Sequence, residues 1–402
     1  MKKAAHILFV ILFFGTSLLN AQTEKKTQNL SFDLELGLDG IFYFESGAFD
    51  GQKQFYPGLF MRPKFKYDWD KGKNNIIFEG FARWDSNGDS RTHWDIRELY
   101  YQYYKDNWEF NIGSKRVFWG KTEGVHLVDV INQVDFLEGI DGEEKLGQPM
   151  VQVSYTNNIG TFSAFALPYT RTLEFGNESG RLRPEKIPTD DQISFESNNE
   201  EWHPSFALRW SHYIGDADLG FHYFYGNARE PIVVFDENGF GLEYSVVHQV
   251  GLDYQHIVGS AIFKLESVYR AGDFINLDNI FAMTGGVEYT FGNVNGKGLD
   301  IGVLGEYVYD NRRELSFSSL DNDLFIASRL AFNNVAGTEL LFGVFQDLSK
   351  STKSIRLEYS QRLGESFKIE ATGQGFLNVD NREFVSQFQQ DSFFEIALIK
   401  YF

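Results

Sequence analysis

The sequence predicts an all-β chain, a single closed antiparallel transmembrane β-barrel of about 16–18 strands. Three observations carry that expectation. Apolar and polar residues alternate with period two over much of the chain. Short turns and long connections follow one another in alternation. The chain holds 40 Phe, 20 Tyr and 7 Trp, yet past its first segment no apolar run reaches the length of a membrane-spanning helix. Strands that face lipid on one side and a lumen on the other combine many aromatics with low mean hydropathy.

The first segment, residues 1–21, reads as a signal peptide. Lys2 and Lys3 give a positive start, Ile7 to Phe14 is unbroken apolar sequence, and Ala21 offers a small residue for cleavage. Residues 22–402 then form the barrel. Removing Lys2 and Lys3 leaves 35 basic against 56 acidic residues and moves the formal charge from −19 to −21. That balance argues against a nucleic-acid partner, which needs clustered Lys and Arg. With no cysteine, disulfides and thiolate-bound metals are excluded.

The strands follow in order. Phe32, Leu34, Leu36 and Leu38 alternate with Asp33, Glu35, Gly37 and Asp39. Leu59, Met61, Phe65 and Tyr67 alternate with Arg62, Lys64, Lys66 and Asp68. Ile76, Phe78, Ala82 and Trp84 face away from Glu79, Arg83 and Asp85. Toward the end, Leu299, Ile301 and Val303 oppose Asp300, Leu357 opposes Arg356 and Glu358, and Ile369 opposes Lys368 and Glu370. Each run has one apolar and one polar face. A soluble sandwich alternates too, so the connections decide. Short turns recur at 71–74, 105–107, 157–160, 215–218, 258–260, 293–298, 333–337 and 364–366. The connections 45–54, 121–148, 169–203, 227–242 and 378–390 are long. Segregated loop lengths are a property of outer-membrane barrels, and an even strand number puts both termini on the short-turn side. The last strand, Phe393 to Phe402, ends on an aromatic residue and resembles the signal read by barrel-assembly machinery, from which Lys400 departs.

The segment from Asp95 to Phe136 is the most distinctive. Arg97-Glu98-Leu99-Tyr100, Gly113, Trp119-Gly120 and Asp129-Val130-Ile131-Asn132 resemble the shared features of a porin-like family of poorly characterised Gram-negative outer-membrane proteins. Gln133 stands where that family commonly has Pro. The resemblance implies a barrel and a transport-like role, with no established catalytic or ligand residues.

Loop 121–148 mixes Val125, Leu127, Val128, Val130, Ile131, Phe136 and Leu137 with Asp129, Asp135, Glu138, Asp141, Glu143 and Glu144. A wholly solvated loop has no use for so many apolar residues. The expectation is that it folds into the lumen as a constriction; the alternative is an external cap. Trp119-Gly120 would serve as the hinge at which the chain leaves the wall. The expected pore-lining residues are Arg62, Lys64, Lys66, Arg83, Arg97 and Lys115, opposed by loop carboxylates such as Asp129 and Asp135. They would set a transverse field that selects by charge and orientation, or else a structural salt-bridge network. No EF-hand spacing, paired His spacing or nucleophile elbow is present, so no metal, cofactor or catalytic residue is expected. The expected partners are outer-membrane lipid and lipopolysaccharide, barrel-assembly machinery and a small solute. The function anticipated is a porin-like channel in the bacterial outer membrane; the alternative is a surface-binding or adhesion barrel with a closed lumen.

Overall fold

The computed structural model describes residues 28–86, 91–236, 239–274, 277–294, 296–313 and 316–402. The signal-peptide segment, residues 1–21, lies outside the described residues. Eighteen strands form one sheet. The first seven are β1 (Asn29–Tyr43), β2 (Phe55–Trp69), β3 (Asn74–Asp85), β4 (His93–Lys105), β5 (Trp108–Lys115), β6 (Gln148–Asn157) and β7 (Gly160–Leu167). A short strand β8 (Ile193–Phe195) sits in an outer connection, followed by the barrel strands β9 (Ser205–Ile214) and β10 (Ala217–Asn227). Two further loop strands, β11 (Ile232–Asp236) and β12 (Gly239–Tyr244), join β8 in a separate three-stranded sheet. The barrel resumes with β13 (Val246–Val258), β14 (Ala261–Phe274), β15 (Leu277–Phe291), β16 (Asp300–Asp310) and β17 (Asn322–Ala331). It ends with β18 (Glu339–Asp347), β19 (Lys353–Leu363), β20 (Phe367–Leu377) and β21 (Phe393–Tyr401).

Each barrel strand pairs antiparallel with the next, and β1 pairs with both β2 and β21, so Glu35 stands opposite Arg62 on one side and Tyr401 on the other. The sheet therefore closes and leaves no unpaired edge for lipid. The start of β1 and the end of β21 both lie at the short-turn rim, where the Phe402 amide donates to the Leu34 carbonyl at 3.0 Å. Tight turns there exploit left-handed backbone: Asp70, Lys71 and Gly72 have φ of 52°, 58° and 81°. Loop lengths segregate less cleanly than the sequence suggests. On the opposite rim, β14 ends at Phe274 and β15 begins at Leu277, with these two residues paired, so a short connection occurs on that side too.

The strand faces follow the alternation. Leu59 and Val303 are both 45% exposed on the outside, while their neighbours Phe60 and Leu304 are buried inside. Near the short-turn rim, Tyr67, Trp69 and Tyr101 stack in series at 5.3 and 6.0 Å, and Trp108 lies 4.7 Å from Tyr155. Such an aromatic band suits a membrane–water interface. One irregularity matters below. Between Glu79–Glu98 and Gly80–Ile96 the register of β3 and β4 skips Arg97. This bulge adds one residue to β4.

Candidate functional site

The chain leaves β5 at Lys115 and re-enters the wall at Gln148. The intervening loop, residues 116–147, is held at its base by Asn132. The Asn132 amide donates to the carbonyls of Lys115 and Leu146 at 2.9 and 2.8 Å, and its Oδ1 accepts from the Val117 amide at 2.9 Å. One side chain thus ties both strand ends to the loop interior. Trp119 is buried against Phe165 and His222, with the Arg209 guanidinium 4.8 Å above its ring. It fixes the loop to the wall at the point from which the chain sets out across the lumen. Gly120 is required by packing, since a Cβ there would lie 2.7 Å from His126 Nδ1.

Beyond Trp119 the loop crosses the lumen. Glu266 of β14 accepts from the backbone amides of Lys121, Thr122 and Val128 at 2.6, 3.0 and 3.3 Å and from the Thr122 hydroxyl at 2.8 Å. Glu306 of β16 accepts from the Glu123 and Gly124 amides at 2.9 and 2.8 Å. Buried carboxylates need such donors, and an exposed run of loop amides supplies them. Val128 and Ile131 are completely buried against an apolar stretch of inner wall that includes Met150, Phe224, Val268 and Ile280. Burying each contributes about 1.5–3 kcal/mol.

The opposite side of the loop is charged. Arg83 of β3 bonds Glu138 through Nε and Nη2, both at 2.8 Å, and also pairs with Asp39. Arg97 of β4 pairs with Asp135; as the bulge residue it has no backbone partner across β3. Arg62 lies 3.9 Å from Glu144, Arg356 of β19 3.2 Å from Glu143, and Arg329 of β17 2.7 Å from Glu123. His126 stands 3.7 Å from Glu143 and 3.8 Å from Glu266. Burial works against ionisation of Asp129, Asp135, Glu138, Asp141, Glu143 and Glu144. At Asp135 the charges of His93 and Arg97 prevail and hold the pKa down to about 2; at Glu143, His126 and Arg356 do the same, again to about 2. At Asp129, Asp141 and Glu144 burial prevails and raises the pKa.

Of the residues expected to line the pore, Arg62, Arg83 and Arg97 meet loop carboxylates, Asp135 among them. Lys115 does not: it faces Gln152 at 3.0 Å and Glu109 at 3.8 Å on the wall itself, because the loop rises away from the end of β5. Lys64 pairs with Glu35 at 2.7 Å, and Lys66 is exposed; both lie nearer the short-turn rim than the loop reaches. Asp129 points back to Lys145 of its own loop at 3.3 Å. Sequence reasoning missed Glu266, Glu306, Arg329 and Arg356 as partners of the loop. Their inward parity was readable; their loop contacts were not. It also missed Gln133, whose amide donates to the Arg229 carbonyl at 2.8 Å and whose Oε1 accepts from the Val134 amide at 2.9 Å. Gln133 thereby joins the loop to the outer connection between β10 and β13.

The loop divides the lumen. A cavity of about 470 Å³ lies between it and the wall of β2, β3 and β17–β21, lined by six basic and eight acidic side chains. A second, of about 250 Å³, lies on its apolar side against β10 and β13–β15. Above them the outer connections meet in an apolar cluster that includes Phe136, Leu173, Leu242, Tyr244, Phe376 and Phe388. Away from the lumen centre, Asp321, Asp323 and Asp347 converge closely enough to hold a metal ion. Lys350 already supplies a cation there, with Nζ 3.1 Å from Asp321, 3.2 Å from Asp347 and 3.2 Å from Glu383.

No protein-family model matches the chain, and no curated protein matches it. Among solved structures the likeness is extensive. OccK2 (OpdF) of Pseudomonas aeruginosa, solved in complex with glucuronate, has a TM-score of 0.52 at 12% identity over 93% of this chain and 97% of that one. The BenF-like porin of Pseudomonas fluorescens Pf-5 has a TM-score of 0.52 at 10% identity, over 93% and 98%. Wzi of Escherichia coli, an outer-membrane protein involved in group 1 capsule assembly and described as a carbohydrate-binding β-barrel, has a TM-score of 0.51 at 10% identity, over 90% and 83%. The chain has the fold of outer-membrane β-barrels.

Proposed function

We propose that the mature chain resides in the bacterial outer membrane and passes a small polar solute along the charged side of its lumen. One observation carries this reading: the loop lies inside the barrel and leaves a cavity whose opposite walls bear opposed charges. Loop carboxylates pair with wall arginines along the edge of a confined space, where screening is weaker than on an open surface. A dipolar solute is oriented by such a field. The excess of two negative charges around the cavity gives a weak preference for cations. No reaction is assigned to the chain. Single-channel recording in planar bilayers tests the reading. The expected result is a small, steady conductance with mild cation preference; a correctly inserted barrel that conducts nothing overturns it.

A second reading is favoured by the outer cluster. Connections 168–204, 228–245 and 378–392 pack together over the mouth, and the β8–β11–β12 sheet stiffens them. A closed lumen under such a cap would make the chain a surface-binding barrel, in the manner of the carbohydrate-binding neighbour. Absence of conductance together with retention of the intact barrel on immobilised polysaccharide would favour it.

A further inference from the structure

We infer that the apolar compartment between the loop and the β10, β13–β15 wall binds a small carboxylate carrying an apolar body, with Arg229 receiving its charge. The cavity of about 250 Å³ carries an apolar patch of Val130, Phe136, Phe224, Val268, Phe317 and Phe388, with Asp129, Asp141 and Glu143 of the loop elsewhere on its lining, so an apolar ligand body packs on that patch. Three arginines also line it. Arg270 and Arg312 are neutralised by Glu230, at 3.6 and 2.7 Å, and Arg312 also by Asp310. Arg229 is different. Its Nε donates to the Ile131 carbonyl at 3.0 Å, and its Nη1 to the Asn227 carbonyl at 2.9 Å and the Thr170 hydroxyl at 3.2 Å. Its Nη2 has no partner, and no carboxylate among the described residues lies within ion-pair distance of it.

The residue is only 8% exposed. An unmatched buried charge is costly, and an arriving anion removes that cost. Burial lowers the basicity of the guanidinium, to about 10, which leaves it charged at neutral pH. Nη2 is closed to water, and the Phe224 ring lies 5.4 Å from the guanidinium carbon. A bare inorganic anion would have to part this lining and offer nothing in its place. A carboxylate with an aromatic or aliphatic tail replaces the displaced contacts and supplies the missing charge through a charge-assisted hydrogen bond.

The inference concerns binding alone and is tested apart from passage. Purified full-length protein in detergent is titrated calorimetrically with 4-phenylbutyrate, its uncharged amide, and inorganic phosphate. The acid should bind at least tenfold more tightly than the amide, and phosphate should not register. Arg229→Gln, checked for an intact barrel by its resistance to unfolding in cold detergent, should weaken the acid tenfold or more and leave the amide unchanged. Val268→Phe occupies the cavity without touching the charge and should abolish binding of the acid; it carries the test if Arg229→Gln does not fold. Equal binding of acid and amide, acid binding that survives either folded variant, or no binding of the acid at all overturns the assignment. Conductance is recorded separately, so loss of the passage reading leaves this result standing.

Discussion

Arg83 shows how much of the lumen depends on single side chains. It is buried between Asp39 and Glu138, with two hydrogen bonds to the latter. Arg83→Gln leaves two carboxylates without their cation, a change that costs about 3–5 kcal/mol when a buried pair is broken. The variant should unfold at lower temperature in detergent and show a larger, noisier conductance; unchanged thermal unfolding would contradict the pairing. His126 makes the loop sensitive to pH. It is packed edge-on to Phe118 at 4.8 Å and faced by Glu143 from the loop and Glu266 from β14. Burial opposes its charge, but the two carboxylates prevail and raise its pKa from 6.5 to about 10. A raised folded pKa stabilises fully below 6.5, and that contribution is lost as pH rises through about 10. Asp135 and Glu143, depressed to about 2, contribute fully above their ordinary values of 3.8 and 4.5 and lose that contribution as pH falls toward 2. The loop is therefore held most firmly between about pH 4.5 and 6.5. Conductance should rise on the alkaline side, and His126→Asn should flatten that rise; a variant with the parental alkaline profile would rule His126 out.

At the scale of elements, the loop and the strands make separate claims. Deleting residues 124–142 removes the Glu138 and Asp135 contacts with Arg83 and Arg97 but spares Trp119 and the two strand ends. The shortened barrel should insert normally and conduct several times more current; equal conductance would place the constriction elsewhere. Asn132→Ala loses three hydrogen bonds at about 1 kcal/mol each and should loosen the loop without removing it, seen as gating noise on an unchanged maximum. For the strands, Val303→Arg puts a charge on the exposed outer face of β16 and should cost about 2–4 kcal/mol if that position is at mid-bilayer depth. Replacing Asp300, at the rim where it accepts from Asn293 and Asn333, should affect folding much less. The strand faces were legible in the sequence because period two is a local property: Leu59 and Arg62 reveal their sides within a few residues. The inward course of the loop was legible from Val128 and Ile131, which are buried against the inner wall. The loop's partners were not. Glu266 and Glu306 meet it across 144 and 183 residues of chain, and only the circumference of the closed sheet decides which strand lies opposite. The bulge at Arg97 was silent too, since alternation on either side of it looks continuous.

For the whole molecule, closure of β21 onto β1 makes the fold all-or-none at its seam. The mature chain should fractionate with the outer membrane and begin near Gln22. Unheated samples should run as a compact species in detergent electrophoresis and shift on boiling, as kinetically trapped barrels do. A chain recovered from the cytoplasm, or one whose mobility ignores heating, would contradict the assignment. The loop inside the barrel also constrains how the molecule is made. Its contacts with Glu266, Glu306 and Arg356 join residues 138 to 213 positions apart, so none can form until more than half of the later strands exist. Contacts of such long range slow folding. Once β21 has reached β1, the loop can enter the lumen only through the outer mouth, over which connections 168–204, 228–245 and 378–392 pack. Residues 116–147 thus delay completion of the wall they fill, and a barrel of eighteen strands made without them should close faster.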